Sequence, residues 1–483
     1  MALILGRERE KALLTQIKSS REPEFVAVYG RRRVGKTFLI SEFYGGESVY
    51  FELTGLLDGK LHDQLANFAD ACSRCFSSEL PVAVPCSWRE AFRILITALE
   101  QRPVRGKTVL FFDELPWLAS RKSGFLQALG YFWNSWASKR KDLILVICGS
   151  AASWMLQKVV YDKGGLHNRV TRRIRLMPFT LSETEQFLKA RKVRLDRHQI
   201  LELYMAMGGI PHYLRQVQPG YSAAQTIDAM CFSSDGFLSD EFERLYASLY
   251  DDHEVYIRIV ESLARWRSGY ARGELLQAAN LPSGGTSTKV LTALEESGFI
   301  AKHIPLGKRA NEGLFRLTDE YSLFYLTWIR RARRASRRNR TEGHWMQRRN
   351  SPSWRAWSGY AFEEVCWKHI HGLKQGLGIG GVRTEESVWR CSGGGTAAGC
   401  QIDLLIDRDD GCITVCEMKY SQSPFAITKA YAKDLRRKVE VFKSRTGTRK
   451  NVFLTMVTTN GIRRNIYSEE LVSNQLTLDD LFL

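Results

Sequence analysis

The sequence predicts an α/β fold whose first part is built on a parallel β-sheet. Three short apolar runs, at residues 25–29, 109–112 and 143–148, alternate with stretches of helical periodicity. Strands of a parallel sheet are buried on both faces and therefore read as continuous apolar runs. Strands that alternate with helices indicate a sheet with helices on both faces.

The bulk composition sets the number of domains and the class of partner. A chain of 483 residues is too long for one hydrophobic core, so several domains are expected. The net charge of +18 favours a polyanionic partner such as nucleic acid or an acidic membrane surface. No apolar run approaches the roughly 20 residues that cross a membrane, and the N-terminus lacks a signal peptide pattern. We therefore expect a cytoplasmic protein with no membrane partner.

A phosphate-binding loop follows the first strand. Residues 30–37 read GRRRVGKT and match the pattern G-x-x-x-x-G-K-[ST] between a predicted strand and a predicted helix. In this pattern the backbone N–H groups curl around phosphate, Lys36 reaches the β and γ phosphates, and Thr37 holds Mg²⁺. The predicted cofactors are therefore ATP and Mg²⁺, bound by Gly30, Arg31, Arg32, Arg33, Val34, Gly35, Lys36 and Thr37.

Polar residues at the ends of the other two strands supply further groups for this site. Asp113 suits a Mg²⁺ ligand, and Glu114 suits a residue that orients the attacking water. Ser150, after the third strand, is either a sensor of the γ-phosphate or a simple strand cap. Three arginines in a predicted loop are either a positive finger or solvated side chains: Arg169, Arg172 and Arg173.

The chain becomes helical from Leu181 onward. Ser182 and Glu185 predict a capping box, and a second helix is expected over 198–207. Helices over 255–264, 272–279 and 286–297, followed by strands 299–304 and 314–317, have the order of a winged helix-turn-helix. A helical lid followed by a winged helix is therefore expected.

These motifs together resemble the archaeal-type ATPases of the STAND branch of AAA-like NTPases. The resemblance rests on LGRE at 5–8, the GRRRVGKT loop, FFDE at 111–114, ICGS at 147–150 and GGIP at 208–211. It covers roughly the first two-thirds of the chain. The resemblance implies that Gly6 and Arg7 approach the nucleotide base and that Pro211 closes over adenine.

The last part of the chain carries the pattern D…E-x-K. Asp403 lies on one predicted strand, and Glu417 and Lys419 on the next; residues two apart in a strand face the same side. Two carboxylates suit Mg²⁺, and a neighbouring lysine could position a water for attack on a phosphodiester. Glu363, on the preceding helix, offers a third carboxylate ligand.

The order of elements around these residues resembles the PD-(D/E)XK nuclease superfamily, and more narrowly the C-terminal domain that often follows archaeal-type ATPase modules. Ile402 replaces the usual proline before the aspartate, while the ionisable residues are intact. The resemblance implies a restriction-endonuclease-like domain. A degenerate fold without a metal site is the open alternative.

An arginine-rich stretch lies between the winged helix and the last domain. It contains Arg330, Arg331, Arg333, Arg334, Arg337, Arg338, Arg340, Arg348 and Arg349, with Trp345 close by. We expect Arg333, Arg334, Arg337 and Arg338 to contact nucleic acid, with base stacking by a nearby aromatic residue. The alternative is a solvated linker.

The predicted organisation has five parts. They are a P-loop ATPase domain (1–180), a helical lid (181–252), a winged helix (253–325), an arginine-rich linker (326–355) and a nuclease-like domain (356–483). The leading hypothesis is an ATP-switched nuclease acting on nucleic acid, with DNA favoured over RNA. By analogy, it would act in defence against foreign DNA or in a toxin-like role, and a homo-oligomer would form on ATP binding. The rival hypothesis is a DNA-binding regulatory switch whose last domain is not catalytic.

Overall fold

The architecture was obtained as a computed structural model of the 483-residue chain. It describes all residues except 1–3, 77–81, 103–105, 121, 161–165, 167, 336–342, 350 and 392–398. The chain divides into two compact units, Met1–Pro178 with Glu296–Gly298 and Phe179–Glu295 with Phe299–Leu483. Within the described ranges, no helix has the length and apolar character needed to span a membrane.

The first unit contains a five-stranded parallel sheet in the order β2-β3-β4-β1-β5. The strands are β1 (Glu24–Tyr29), β2 (Val49–Thr54), β3 (Thr108–Asp113), β4 (Leu143–Gly149) and β5 (Arg172–Arg175). The predicted parallel sheet is therefore confirmed, with β1, β3 and β4 at its centre. The sequence analysis missed β2 and β5, because β2 alternates in burial and β5 buries only Ile174. Arg172 and Arg173 consequently lie in an edge strand, and the prediction of a loop there was wrong.

The helices of the first unit pack on this sheet around an aromatic core. They are α1 (Glu8–Ser19), α2 (Lys36–Tyr44), α3 (Leu61–Phe76), α4 (Trp88–Glu100), α5 (Leu115–Leu118), α6 (Phe125–Ser135) and α7 (Ala152–Met155). Phe112 of β3 contacts Phe92 and Phe125, whose ring meets Trp88 edge-on with centroids 4.7 Å apart. This packing fixes the carboxyl end of β3, where Asp113 lies.

The second unit begins with five helices. They are α8 (Leu181–Ala190), α9 (Arg197–Met207), α10 (Pro211–Leu214), α11 (Ala223–Cys231) and α12 (Glu241–Ala247). The capping box of α8 consists of Thr180 and Glu183, so the prediction of Ser182 and Glu185 was wrong by two residues. The physical reason is that α8 begins at Leu181, so Ser182 already lies within its first turn, while Glu185 pairs with Lys189.

A three-stranded antiparallel sheet with three helices follows. The elements are α13 (His253–Arg265), β6 (Tyr270–Ala271), α14 (Arg272–Ala278), α15 (Gly285–Glu296), β7 (Ile300–His303) and β8 (Leu314–Leu317), and the sheet order is β6-β8-β7. The predicted helices and strands lie within two residues of these bounds. The short strand β6 was not predicted, because two residues carry no periodicity.

The described parts of residues 326–355 are largely helical. After α16 (Glu320–Phe324) come a π-helical turn (Tyr325–Ile329), α17 (Arg330–Ala335) and α18 (His344–Arg348). The suggestion that Trp345 is available for base stacking was wrong. Its side chain is 2% exposed and packs on Phe232, Phe324 and Trp328, so the ring is part of the core.

The C-terminal part of the second unit is a five-stranded mixed sheet with helices. Its elements are α19 (Pro352–Lys368), α20 (Ile370–Gly376), β9 (Thr384–Cys391), β10 (Cys400–Arg408), β11 (Cys412–Lys419), α21 (Lys429–Thr446), β12 (Asn451–Thr458), α22 (Ile466–Leu471) and β13 (Asn474–Leu476). The order is β13-β12-β11-β10-β9. Strand β10 is antiparallel to both β9 and β11, whereas β12 and β13 run parallel to β11. The predicted strand order along the chain is confirmed, with β13 in addition.

His303 of β7 is a buried histidine in this second unit. Its ring meets that of Trp367 on α19 edge-on, with centroids 4.3 Å apart, and its Nε2 has no hydrogen-bond partner among the described residues. Burial, aided by the positive charge of Arg316, lowers the pKa of His303 to about 3. The folded chain therefore keeps this imidazole neutral at pH values where the unfolded chain protonates it.

This difference predicts an acid-sensitive contribution to stability. Below an imidazole pKa of about 6.5, the unfolded state binds a proton that the folded state does not bind, so stability falls as the pH decreases from about 6.5 toward 3. In His303→Phe, which keeps the aromatic contact, the free energy of unfolding should decrease less steeply as the pH falls, by about 1.4 kcal/mol per pH unit. Urea unfolding at pH 7, 6 and 5 measures this, and identical pH slopes in the two proteins would contradict it.

Candidate nucleotide and carboxylate sites

The loop at 30–35 connects β1 to α2 in a conformation that side chains disfavour. Gly30 has a φ of +147° and Gly35 a φ of +89°. A Cβ on Gly30 would lie 2.3 Å from the carbonyl oxygen of Leu176, so only glycine fits there. The loop thus curls over the amino end of α2, where N–H groups are available to an anion.

Lys36 is held by its own loop and by the end of β4. Its side chain is buried, and its Nζ donates to the carbonyl oxygens of Gly30 (3.1 Å) and Arg31 (3.0 Å) and to Ser150 Oγ (3.2 Å). Phosphate oxygens could replace these acceptors without leaving the buried ammonium unpaired.

Thr37 and Asp113 form the pair predicted to hold Mg²⁺. Thr37 Oγ1 donates to Asp113 Oδ2 at 2.6 Å, and Asp113 Oδ1 accepts from the N–H of Glu114 at 2.9 Å. Hydroxyl and carboxylate oxygens are ligands that Mg²⁺ prefers, and the two side chains are already in contact. The residues present therefore fit the ion.

Glu114 stands beside Asp113 in a left-handed conformation, with a φ of +47°. Its carboxylate accepts hydrogen bonds from Ser150 Oγ (2.5 Å) and from the N–H of Ser150 (3.2 Å). Ser150 thus lies between Lys36 and Glu114, inside the site. This position supports a role for Ser150 in the site, although its backbone also ends β4.

Arg7 lies next to the phosphate-binding loop. It is 5% exposed, and its guanidinium donates to the carbonyl oxygens of Val34 (3.1 Å) and Met177 (2.6 Å). Gly6 and Arg7 both have positive φ values, +62° and +59°. This segment therefore lies beside the loop, and its approach to the nucleotide base remains a prediction. Pro211 belongs to the second unit, where it begins α10, and its contact with adenine remains a prediction.

The C-terminal sheet brings the predicted carboxylates close together. Asp403 Oδ2 accepts from the N–H of Met418, and Lys419 Nζ lies 2.9 Å from Glu417 Oε1. Burial and the charge of Glu417 raise the pKa of Asp403 to about 6. Burial and the charge of Asp403 raise the pKa of Glu363 to about 8. Asp403 on β10 is thus influenced by the charge of Glu417 on β11, and Glu363 on α19 by the charge of Asp403.

Two residues of α21 complete this site, and the sequence analysis missed them. Lys438 Nζ lies 2.9 Å and 3.0 Å from the two carboxylate oxygens of Glu417, and the Tyr431 hydroxyl donates to Oε1 at 2.7 Å. Although burial raises it, the pKa of Glu417 stays below its usual value because Lys419 and Lys438 stabilise the anion. Tyr431 and Lys438 are seven positions apart on one helical face, which is the signal that could have indicated them.

Arg316 of β8 reaches the same site from the three-stranded sheet. Its guanidinium is 3.7 Å from Glu363 Oε2 and 3.3 Å from Glu364 Oε1, and its side chain is 4% exposed. Glu363 thus faces a cation of another module as well as Asp403. No sequence pattern links Arg316 to Glu363.

The fit of a metal ion to this site is limited by the existing ion pairs. Among the described residues, no three histidine, cysteine or acidic side chains are grouped as they would be around a metal ion. The carboxylate oxygens of Asp403 and Glu417 are suitable donors, but the oxygens of Glu417 already face two lysines. A cation would have to displace at least one lysine from Glu417.

The arginines of the 330–349 stretch have unequal surroundings. Arg333 donates to the carbonyl oxygen of Ser239 at 2.8 Å, and Arg330 pairs with Glu261. Arg331 and Arg334 are exposed, and neither has an ion-pair partner among the described residues. Arg337 and Arg338 lie outside the described residues. The nucleic-acid role of all four predicted arginines remains a prediction.

Comparison with known proteins identifies relatives of the part of the chain that contains the first of the two sites. Residues 5–217 match a family model described as an ATPase domain predominantly from Archaea. An uncharacterized protein of Methanocaldococcus jannaschii is 23% identical over 330 residues, 68% of this chain and 69% of that protein. The part of the chain that carries the phosphate-binding loop is thus an archaeal-type ATPase domain.

Two solved structures are similar to this chain at low identity. A Walker-type ATPase of Pyrococcus abyssi is 17% identical with a TM-score of 0.47, covering 67% of this chain and 96% of that one. Cdc6p of Pyrobaculum aerophilum is 13% identical with a TM-score of 0.34, covering 69% of this chain and 96% of that one.

The nucleotide site predicts two variants that behave differently. Lys36→Ala should abolish ATP binding, because the phosphates lose their buried cation. Glu114→Gln should bind ATP as the wild type does but hydrolyse it about 100-fold more slowly, because only the charge that orients water is lost. Nucleotide binding and phosphate release measure both effects, with Lys141→Ala, exposed near the amino end of β4, as the control. Equal loss of binding in the two variants would contradict the role of Glu114.

Proposed function

We propose that the chain is an ATP-hydrolysing switch that controls a Mg²⁺-dependent nuclease formed by its C-terminal sheet and acting on DNA. The observation that carries the nuclease half is the grouping of Asp403, Glu417 and Lys419 at one buried site. The ATPase half rests on the contacts of Lys36 and Glu114 with Ser150 and on the contact of Thr37 with Asp113, all in the archaeal-type domain.

In the proposed hydrolysis step, each residue of the nucleotide site has a separate task. Lys36 exchanges its carbonyl acceptors for the β and γ phosphate oxygens. Thr37 and Asp113 would hold Mg²⁺, and the ion would neutralise charge on the phosphates. Glu114 breaks its hydrogen bonds with Ser150 and then orients the attacking water. The exchange is needed because a carboxylate that is bonded to Ser150 has fewer free lone pairs for that water.

In the proposed cleavage step, the C-terminal residues act on a phosphodiester. Asp403 and Glu417 would hold Mg²⁺, which polarises the phosphate. Lys419 would position the attacking water, and Glu363 would help to orient the two carboxylates. We propose that this domain is a nuclease-like module of the PD-(D/E)XK type.

The module from α13 to β8 is proposed to be a winged helix that contacts DNA. Its helix-strand-helix-helix-strand-strand order supports this assignment. The exposed face of α15 carries Thr286, Thr288, Lys289 and Thr292, which are residue types that bind phosphate and base edges. The net charge of +18 agrees with a polyanionic partner.

A second candidate is an ATP-regulated DNA-binding switch with a non-catalytic C-terminal fold. The observation that favours it is that the Glu417 carboxylate already has three partners, which are Lys419, Lys438 and Tyr431. Internal ion pairs of this kind also stabilise a buried carboxylate in a purely structural role.

Cleavage assays with three site variants separate the two candidates. Asp403→Asn and Glu417→Gln should abolish cleavage of plasmid DNA with Mg²⁺ or Mn²⁺ because the ion loses a ligand, while ATP hydrolysis stays unchanged. Lys419→Met should lower cleavage strongly and spare metal binding. Glu470→Gln, an exposed acid paired with Arg436 in the same module, is the matched control. A wild-type protein that cleaves no DNA or RNA with either metal would favour the regulatory switch.

The arginines of α17 predict a distinct salt dependence of DNA binding. The double variant Arg331→Ala, Arg334→Ala should flatten the log–log salt slope by roughly one unit per lost phosphate contact. Arg333→Ala should change the slope less, because its guanidinium is bonded to Ser239. Fluorescence anisotropy between 50 and 300 mM salt (about a sixfold range) measures the slope. Equal slopes for the double variant and the wild type would assign these arginines to a solvated surface.

A further inference from the structure

One face of the three-stranded sheet packs against helix α19. Arg316 of β8 pairs with Ala301 of β7, and His303 lies two residues further along β7, so His303 and Arg316 share this face. The His303 ring meets the ring of Trp367 edge-on, with centroids 4.3 Å apart. The Cζ atom of Arg316 lies 5.7 Å from the ring centroid of Tyr360. Both aromatic residues belong to α19, so two strands of the sheet support this helix.

The segment that follows β7 extends the contact to the C-terminal sheet. Pro305 forms a parallel bridge with Val388 of β9, and the N–H of Leu306 donates to the carbonyl oxygen of Val388 at 3.0 Å. The side chain of Leu306 packs against the apolar core that contains Ile402 and Leu405 of β10. The three-stranded sheet is therefore joined to the C-terminal module through the main chain as well as through side chains.

Arg316 is held so that its cation faces two carboxylates of α19. Its side chain is 4% exposed, and its Nε donates to the carbonyl oxygen of Arg267 at 3.3 Å. The two terminal nitrogens lie 3.7 Å from Glu363 Oε2 and 3.3 Å from Glu364 Oε1. A planar guanidinium that meets partners on all three nitrogens has a fixed orientation. Glu363 therefore has a cationic neighbour that does not rotate away.

Trp367 provides a second contact, from α19 to the main chain of Asp403. Its Nε1 donates to the carbonyl oxygen of Asp403 at 3.2 Å. The register of β10 with β9 shifts between Ile402 and Leu405, and Asp403 lies within this shift. Irregularities of this kind redirect side chains and occur often beside active sites. The indole of Trp367, on which His303 packs, thus holds the main chain of Asp403 at the point where the regular ladder is interrupted.

We propose that the three-stranded sheet positions the C-terminal carboxylate site, through Arg316 acting on Glu363 and through Trp367 acting on Asp403. This inference rests on the proposed nuclease function. Arg316 and Trp367 are positioning residues in it, because neither is one of the reacting groups. The module that is proposed to contact DNA thereby also supports the site of cleavage, so DNA that shifts this sheet alters the setting of both carboxylates.

Trp367→Phe tests the contact with Asp403, because it removes the indole N–H and keeps an aromatic ring beside His303. We expect about a tenfold decrease in kcat for cleavage of plasmid DNA, with KM for DNA unchanged, and about a tenfold weaker affinity for Mn²⁺. The rate of ATP hydrolysis should stay unchanged. A purely structural contact would lower the melting temperature and leave kcat and Mn²⁺ affinity as they are.

A double variant tests Arg316 without leaving the more deeply buried of its two carboxylates unpaired. Arg316→Met with Glu364→Gln removes one cation and one anion, so the net charge around the site is kept. Glu363 loses its cationic neighbour, and kcat should fall about tenfold with KM for DNA unchanged. Arg316→Lys keeps the charge beside Glu363 and should restore part of this loss.

The matched control is Lys374→Met with Glu386→Gln. It removes an ion pair between a helix and a strand of the same module, also without a change in net charge, and neither residue contacts Glu363 or Asp403 among the described contacts. The full chain is titrated with Mn²⁺ alone by calorimetry, and the Asp403→Asn, Glu417→Gln double variant gives the signal of all other metal sites. Melting temperatures are measured on the same samples.

The outcomes distinguish this inference from the proposed function. A wild type that neither cleaves nor shows Mn²⁺ binding above the Asp403→Asn, Glu417→Gln variant overturns the nuclease proposal and this inference with it. A functional wild type, with kcat unchanged in both Trp367→Phe and the Arg316 double variant, overturns only the positioning role. Losses no larger than those of the Lys374 control also overturn it, since they reflect general loosening of the module.

Discussion

Charge buried inside this protein has to be compensated, and this constraint shapes both candidate sites. Removing an unpaired ion from water costs on the order of several kcal/mol, so buried ionic groups need partners before any ligand arrives. Lys36 uses the carbonyl oxygens of its own loop, and Glu417 uses two lysines and a tyrosine. Ligand binding at either site is therefore an exchange of partners.

Under the proposed function, this exchange of partners would make the nucleotide site sensitive to ATP. Ser150 contacts both Lys36 and Glu114, so a phosphate that draws Lys36 away also removes one of the contacts that hold Ser150. The parallel sheet makes this possible, because β1, β3 and β4 are neighbours and end at the same edge. Groups from three separate segments thereby meet without long loops.

The sequence allowed the nucleotide site to be predicted because phosphate binding demands a fixed local pattern. Residues 30–37 and the acids after β3 could be identified since each works through its position relative to a strand end. Asp403, Glu417 and Lys419 were identifiable for a similar reason, the alternation of side chains along a strand. Site residues that lie within one element, or directly beside it in the chain, form a pattern that can be recognised in the sequence.

Contacts between distant segments leave no such pattern. Lys438 meets Glu417 across 21 residues, and Arg316 meets Glu363 across 47, so the predictions omitted them. Elements and side chains whose positions depend on tertiary packing were also missed. The edge strand β5 buries one side chain of four, and Trp345 was interpreted from its arginine-rich neighbours although its ring fills a core.

The arginines show why net charge overstates the surface offered to a partner. Arg316 and Arg349 neutralise buried carboxylates, and Arg333 is bonded to a backbone carbonyl. These guanidinium groups join segments far apart in sequence. The cations available to a polyanion are those without such internal acceptors, as at Arg331 and Arg334. A basic composition is thus partly used inside the protein, and only the position of each arginine in the structure shows which guanidinium groups are bonded internally.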